Sequence, residues 1–231
     1  MAARAGLGYI TPPKPSDNNT TCILNKGDTG ALESQRYYLA RKTVLEMLRD
    51  RGCVVDDSEV DRTLSEFRSV FGEKPDVDQL RICVPFLSRP SKKILVIFCG
   101  PLEINKAKAT GIILNILNKE SLHRIILVLE NKINHFARTV FEECQVKMEM
   151  FPITELFANI TKHVAAPKIE ILSTMEKEQL LKKYELADKQ LPYMLESDAI
   201  ARYYGLEKKQ VVKVTYNSKN TGLLVTYRCV I

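Results

Sequence analysis

Residues Ile94–Leu129 read ILVIFCGPLEINKAKATGIILNILNKESLHRIILVL, and this stretch decides the fold class. It opens on one unbroken apolar run, Ile94–Phe98, and closes on another, RIILVL at Arg124–Leu129. Between them lies a helical segment, about Asn105–Leu117, with Ile112, Ile113, Ile116 and Leu117 spaced to face inward. Strands without polar alternation need cover on both faces, which the parallel strands of an α/β layer receive. A helix from Phe136 to Glu143 and a strand from Val146 to Phe151 continue the alternation, so successive βαβ crossovers are expected.

Upstream, Leu80–Val84 alternates and reads as a further strand. Before it, Tyr37, Tyr38, Val44, Leu45 and Leu48 form the apolar stripe of a helix from Ser34 to Gly52, with Arg36, Arg41, Lys42, Glu46 and Arg49 assigned to its solvent side. A second helix carries Val60, Leu64, Phe67 and Phe71 at i, i+4, i+7 and i+11, with Ser58 and Asp61 as its capping pair and Gly72 as its end. The two stripes must lie on the sheet. Met1 to about Ala31, with Pro12, Pro13, Pro15, Gly27 and Gly30 and little periodicity, is expected to be a flexible extension.

Downstream of Phe151 the alternation stops. The expected organisation is an extension over 1–31, an α/β domain over 32–152 and a small α+β domain over 153–231. In the last, a short helix spans Ile153–Thr161, a strand Lys168–Leu172, and Ser173 with Glu176 forms a capping box for a charged helix ending near Tyr184. Pro192 then introduces LPYMLESDAIARYYGLEKKQVVKV, Leu191–Val214. This reads as a two-turn helix, with Ser197 accepting at its start and Gly205 leaving through a left-handed conformation, followed by a strand. Asn217–Gly222 is turn material before a second strand, Leu223–Val230. A short capped helix set on a hairpin is a docking unit more readily than an active site.

The chemistry-bearing residues are scattered. The chain carries +6 at neutral pH, a balance that permits a polyanionic partner without demanding one. Cys22, Cys53, Cys83, Cys99, Cys144 and Cys229 include no C-x-x-C pair, so neither a zinc site nor a disulfide framework is expected. No cofactor or metal is expected either. The opening residues hold no apolar signal core and no run is long enough for a bilayer span, so a reduced cytosolic or nuclear setting without membrane contact is expected. Cys99-Gly100-Pro101 offers one glycine and a residue with no N–H, a poor phosphate cradle. His123, His135 and His163 stand on different elements with no nucleophile turn nearby. A metal-dependent nuclease would need clustered carboxylates, and Asp76 with Glu130-Asn131-Lys132 is only a formal match. Basic residues interleaved with aromatics, QRYYLARK at Gln35–Lys42 and His135-Phe136-Arg138, are candidates for phosphate contact, with a solvated helix face as the equal alternative.

DAIARYYGLEKKQVVKV at Asp198–Val214, with the terminal VTYRCVI, closely resembles the fifth subunit of eukaryotic nuclear RNA polymerases, whose C-terminal domain is also similar to a small subunit of the archaeal polymerase. The resemblance extends through LSTMEKEQLLKKYELADKQLP, FPITELFANITKHV, FART at Phe136–Thr139 and MLRDRG at Met47–Gly52, about Ser34–Ile231 in all. SQRYYLARK, EFRSVFGEKPDVDQLRI and YYGLEK are most similar to the plant paralogue of RNA polymerase V, the enzyme of RNA-directed DNA methylation and gene silencing, rather than the version common to polymerases I, II and III. The resemblance implies a nuclear, non-catalytic subunit. Its N-terminal jaw domain would have a nuclease-like α/β topology and a mixed sheet without nuclease function, and its α+β C-terminal domain would assemble on the largest subunit. No small-molecule substrate is implied.

On that resemblance Asn134, His135, Phe136, Ala137 and Arg138 would lie toward downstream duplex DNA. Arg202, Tyr203, Tyr204, Gly205, Val211, Val212, Lys213, Tyr227 and Arg228 would form the assembly region, some through packing rather than direct contact. Three departures stand out. Asn134-His135 replaces a Thr-Pro opening, a change that bears on the rigidity of that loop. Ala199 replaces a proline suited to the first helical position. Lys209 replaces glycine, so either a strained Lys209 or a changed turn is expected.

Overall fold

The computed structural model describes residues 29–116, 121–187, 190–218 and 222–231. Residues 1–28 of the expected extension, Leu117 of the expected helix and residues 219–221 of the expected turn lie outside them. The two apolar runs are the central strands of a four-stranded mixed sheet of order β1-β2-β3-β4. These are β1 Ile82–Pro85, β2 Lys93–Cys99, β3 Leu122–Leu129 and β4 Lys147–Pro152. β1 is antiparallel to β2, while β2, β3 and β4 run parallel, linked by α4 (Lys106–Leu114) and α5 (His135–Glu142).

Alternation within the runs sorts the residues to two faces. Ile94, Val96, Phe98, Ile126, Val128 and Phe151 pack under α1 (Thr29–Asp50), against Tyr37, Val44, Met47 and Leu48. Leu95, Cys99, Ile125, Leu127 and Leu129 pack on the other side with Ala109, Ile116, Ala137 and Phe141. This double cover is why the runs contain no polar alternation. Glu46 is a correction to the expected solvent face of α1: it is buried, accepting from Asn159 at 2.8 Å and pairing with Lys162.

The expected second helix is two. α2 (Asp57–Val60) is capped by Asp56 and α3 (Leu64–Phe71) by Thr63, whose hydroxyl and Glu66 form a capping box. The apolar periodicity runs on through the break because Val60 and Phe67 still reach one core. Ile153–Thr161 likewise forms two 3-10 turns, Ile153–Leu156 and Ile160–Lys162, rather than one helix. Asn159 intervenes, and its side chain bonds the N–H of Thr161.

A second four-stranded mixed sheet has order β5-β7-β8-β6. β5 (Lys168–Ile171), β7 (Val211–Ser218) and β8 (Gly222–Val230) form an antiparallel series. β6 (Tyr193–Met194), not expected from the sequence, pairs parallel with the end of β8. Val212 and Val214 face α7 (Ala199–Tyr204), while Val211 and Cys229 pack with Leu180 of α6 (Thr174–Lys183). The Ser173–Glu176 capping box is present. At α7 the cap is Asp198 rather than Ser197, its carboxylate accepting from the Ile200 N–H at 2.9 Å, so Ala199 holds the first helical position. Lys209 has φ 71° and keeps the glycine-type turn, held by a 2.9 Å bond from its N–H to the Val230 carbonyl.

Candidate assembly and nucleic-acid interfaces

The two groups of candidate residues lie in opposite environments. Asn134 caps α5, its side chain accepting from the Phe136 N–H at 3.3 Å, and its own N–H donates to the Ile104 carbonyl. The capped start leaves Phe136 64% exposed with His135 and Arg138 beside it, while Ala137 is fully buried against the sheet. An asparagine cap thus orders this helix start where a proline is absent. Arg138, Lys132 and Arg202 line a shallow depression beyond the carboxyl ends of β3 and β4, with Glu130 and Glu155 among its walls. Asp76 and Glu130 do not combine as a nuclease pair: Asp76 accepts from the Asp78 N–H and Glu130 sits beside Arg36. Among the described residues no cluster of three His, Cys, Asp or Glu could hold a metal ion.

Most of the α7 residues instead turn into the chain. Tyr203 is 4% exposed and joins the core beneath α1, where its hydroxyl donates to Asp50 at 2.7 Å and accepts from Asn159 at 3.0 Å. Burial and the Asp50 carboxylate together push its phenol well above the ordinary range. Arg202 donates to the Met150 carbonyl at 2.7 Å and to Glu155 at 2.8 Å, with its guanidinium over the Phe151 ring.

The end of α7 is closed by a residue from the other sheet's layer. Arg51 donates to the Tyr203 and Arg202 carbonyls at 2.8 and 2.7 Å and to Glu149 at 2.7 Å. A guanidinium there satisfies the Tyr203 carbonyl, gives the Arg202 carbonyl a second donor beside the Gly205 N–H, and complements the helix's negative end. Glu149 also pairs with Arg124, which reaches Glu207 at 2.6 Å. Burial alone would raise the Glu149 carboxyl, but the two guanidiniums outweigh it and hold the group below the usual carboxylate range. Gly205, at φ 63°, faces this cluster so closely that a Cβ would meet Arg51 and Arg124 at 3.0 Å. It is needed both for its left-handed cap and for this approach.

Val211 and Val212 are core residues, and Tyr204 is half-buried. Lys213, Tyr227 and Arg228 keep partial exposure, Lys213 pairing with Glu170 at 2.8 Å. Cys53, Cys83, Cys99, Cys144 and Cys229 are free thiols, and burial pushes those of Cys53 and Cys99 up to about 11, which makes them unreactive.

Comparison with known proteins agrees with this architecture. Residues 31–114 match RNA polymerase Rpb5, N-terminal domain, and residues 158–230 match RNA polymerase Rpb5, C-terminal domain. The DNA-directed RNA polymerase V subunit 5C of Arabidopsis thaliana is 55% identical over 215 residues, 93% of this chain and 92% of the relative. The chain belongs to the Rpb5 family. The Arabidopsis polymerase V subunit 5A is 44% identical over 90% of this chain and 94% of its own length. A subunit of Caenorhabditis elegans RNA polymerases I, II and III, RPABC1, is 33% identical over 87% of this chain and 98% of its own length.

In this Rpb5 chain the functional residues that sequence reading overlooks are Arg51, Arg124, Glu149 and Glu207. A signal is present. Arg124 heads an apolar strand and Glu149 interrupts KMEMF, and a charge inside a buried strand requires a partner. What one sequence cannot show is that these two charges partner each other across neighbouring strands, or that the second guanidinium on Glu149, Arg51, lies 98 residues before it. Leu223 and Leu224, at the start of β8, are 70% and 52% exposed, a surface that strand composition alone does not reveal.

Proposed function

We propose that this chain is a non-catalytic subunit of a plant nuclear RNA polymerase V, acting in RNA-directed DNA methylation. The observation that carries the reading is 55% identity with the Arabidopsis polymerase V subunit 5C over nearly the full length of both chains. In this reading the first sheet and its helices, the region expected over 32–152, form the jaw, with nuclease-like topology but no nuclease role. The exposed Phe136, His135 and Arg138 face downstream duplex DNA, positioned by the Asn134 cap.

The second sheet assembles on the largest subunit, and its shape supports this. Cys229 and Ile231 bond outward to Pro192 and Met194, so the odd-numbered residues of β8 point their backbone groups toward the β6 side. β6 covers only the end of β8, leaving the backbone of Leu223, Val225 and Tyr227 without a strand partner there among the described residues. An uncovered edge flanked by exposed Leu223, Leu224 and Val225 is a surface that a partner segment completes. In this reading Lys213, Tyr227 and Arg228 contact the partner, while Arg202, Tyr203, Tyr204, Gly205, Val211 and Val212 hold the docking sheet in position.

The test is affinity purification of the tagged chain from plant nuclei followed by mass spectrometry. Recovery of the polymerase V largest subunit is expected. Recovery of the polymerase II largest subunit in its place would assign the chain to the shared role, and a monomer without any polymerase subunit would end the reading.

A further inference from the structure

A second charged feature sits at the other end of the first sheet. From Gln79 to Leu102 the chain has four basic residues, Arg81, Arg89, Lys92 and Lys93, and no acidic one. The fold turns this stretch into the β1–β2 hairpin, whose turn is closed by a 2.9 Å bond from the Lys92 N–H to the Arg89 carbonyl. Because β2 and β3 are parallel, the turn lies beside the first residues of β3 and brings in His123. Phe86, Ser88, Arg89, Lys92 and His123 line a cavity of about 200 Å³. Asn134–Arg138 lies beyond the far end of β3, roughly 25 Å away at strand rise.

The cations in this cavity are uncompensated. Neither Arg89 nor Lys92 forms an ion pair among the described residues, and both are exposed. The acid that faces His123, Glu207, is held by Arg124. Partial burial first, then Arg124, Lys92 and Arg89, hold the His123 imidazole below its usual range, as a site with excess positive charge requires. The His123 ring meets the Phe86 ring edge to face at 5.4 Å, and Leu87 beside it is 76% exposed.

We infer that this hairpin cavity binds the backbone of a single-stranded nucleic acid, one phosphate seated between Arg89, Lys92 and Ser88 and a neighbouring base against Phe86 and His123. Cations tracking a backbone beside an aromatic platform are the elements of single-strand binding. A pocket of this size admits one phosphate or base edge, whereas a duplex needs a broad basic face, which favours the single strand. Ser88 adds a hydroxyl donor, and the two rings supply contact that does not depend on base identity.

The test uses the full chain and a labelled 20-nucleotide uridine single strand, read by fluorescence anisotropy. R89E/K92E is expected to weaken binding at least about tenfold and to reduce the salt slope by about 0.7, the value for the one phosphate seated there. A charge-matched K106E/K182E control, with circular dichroism verifying the fold of both, should change binding little. In the NMR titration of the His123 ring, the bound strand should raise its pKa, because phosphate supplies the missing negative charge. Equal losses in the two double variants, an unmoved His123, preference for duplex DNA, or selective binding of a phosphoserine peptide would each overturn the inference.

Discussion

β3 and β8 are similar in length and in apolar content, LHRIILVL against GLLVTYRCV, yet they end in opposite circumstances. Six consecutive residues of β3, Arg124–Leu129, are buried between two helical layers, whereas the first four of β8 are exposed. The difference lies in what each sheet is given to pack against. The first has α1 on one face and α4 with α5 on the other; the second has α6 and α7, which reach only the Val211–Val214 end of its hairpin. Apolar strand composition therefore marks a need for cover without saying whether the same chain supplies it.

The sharpest way to break the comparison is to cut into each strand in turn, beginning with β3. Leu127→Ala removes a fully buried side chain and should cost about 4 kcal/mol of unfolding free energy, measured by urea titration. A cost below about 1 kcal/mol would mean that the double cover is loose.

Next in size is Arg51→Met, which strips Glu149 of one guanidinium, the Tyr203 carbonyl of its donor and the Arg202 carbonyl of one of two, an expected loss of about 3 kcal/mol. Its pH dependence supplies a second readout. With its folded pKa depressed, Glu149 contributes stability at neutral pH that is lost as acid carries the pH down through that folded value. The variant should show a smaller acid-induced loss, and an identical acid profile would contradict the electrostatic account.

Smaller effects probe the second sheet. Lys209→Gly, at a φ of 71°, should raise stability by about 1 kcal/mol, visible as a higher thermal midpoint. Leu224→Ser should change the free chain by less than about 0.5 kcal/mol while lowering recovery of the polymerase largest subunit in affinity purification. A large loss of stability there would show that β8 is covered within the chain after all.

The residues themselves explain how much of this is readable. Ile94–Phe98 and Arg124–Leu129 declare a doubly covered sheet because nothing else suits an uninterrupted apolar run. Gly205 can be placed in a left-handed conformation from position alone and adopts it, whereas at Lys209 the resemblance leaves a strained residue or a changed turn open, and the positive φ is the one found. The break between α2 and α3 is hidden because apolar spacing is blind to a cap falling at Thr63. β6 is invisible since two residues cannot establish a period, and its pairing depends on β8 being alongside. The candidate assembly residues are named only through the resemblance, and their division into inward and outward members is not readable from it. Tyr203 faces Asp50 only once α7 has been brought across the first sheet.

That crossing has a consequence for synthesis. The space beneath α1 that Tyr203 fills is completed by a residue made 153 positions after Asp50. At about 5–20 residues per second, roughly 8–30 s separate the two on a ribosome. During that interval the amino-terminal layer exists with a notch in its core and with Arg51 and Glu46 not yet furnished with their later neighbours. The nascent chain thus lacks this part of its core until α7 emerges.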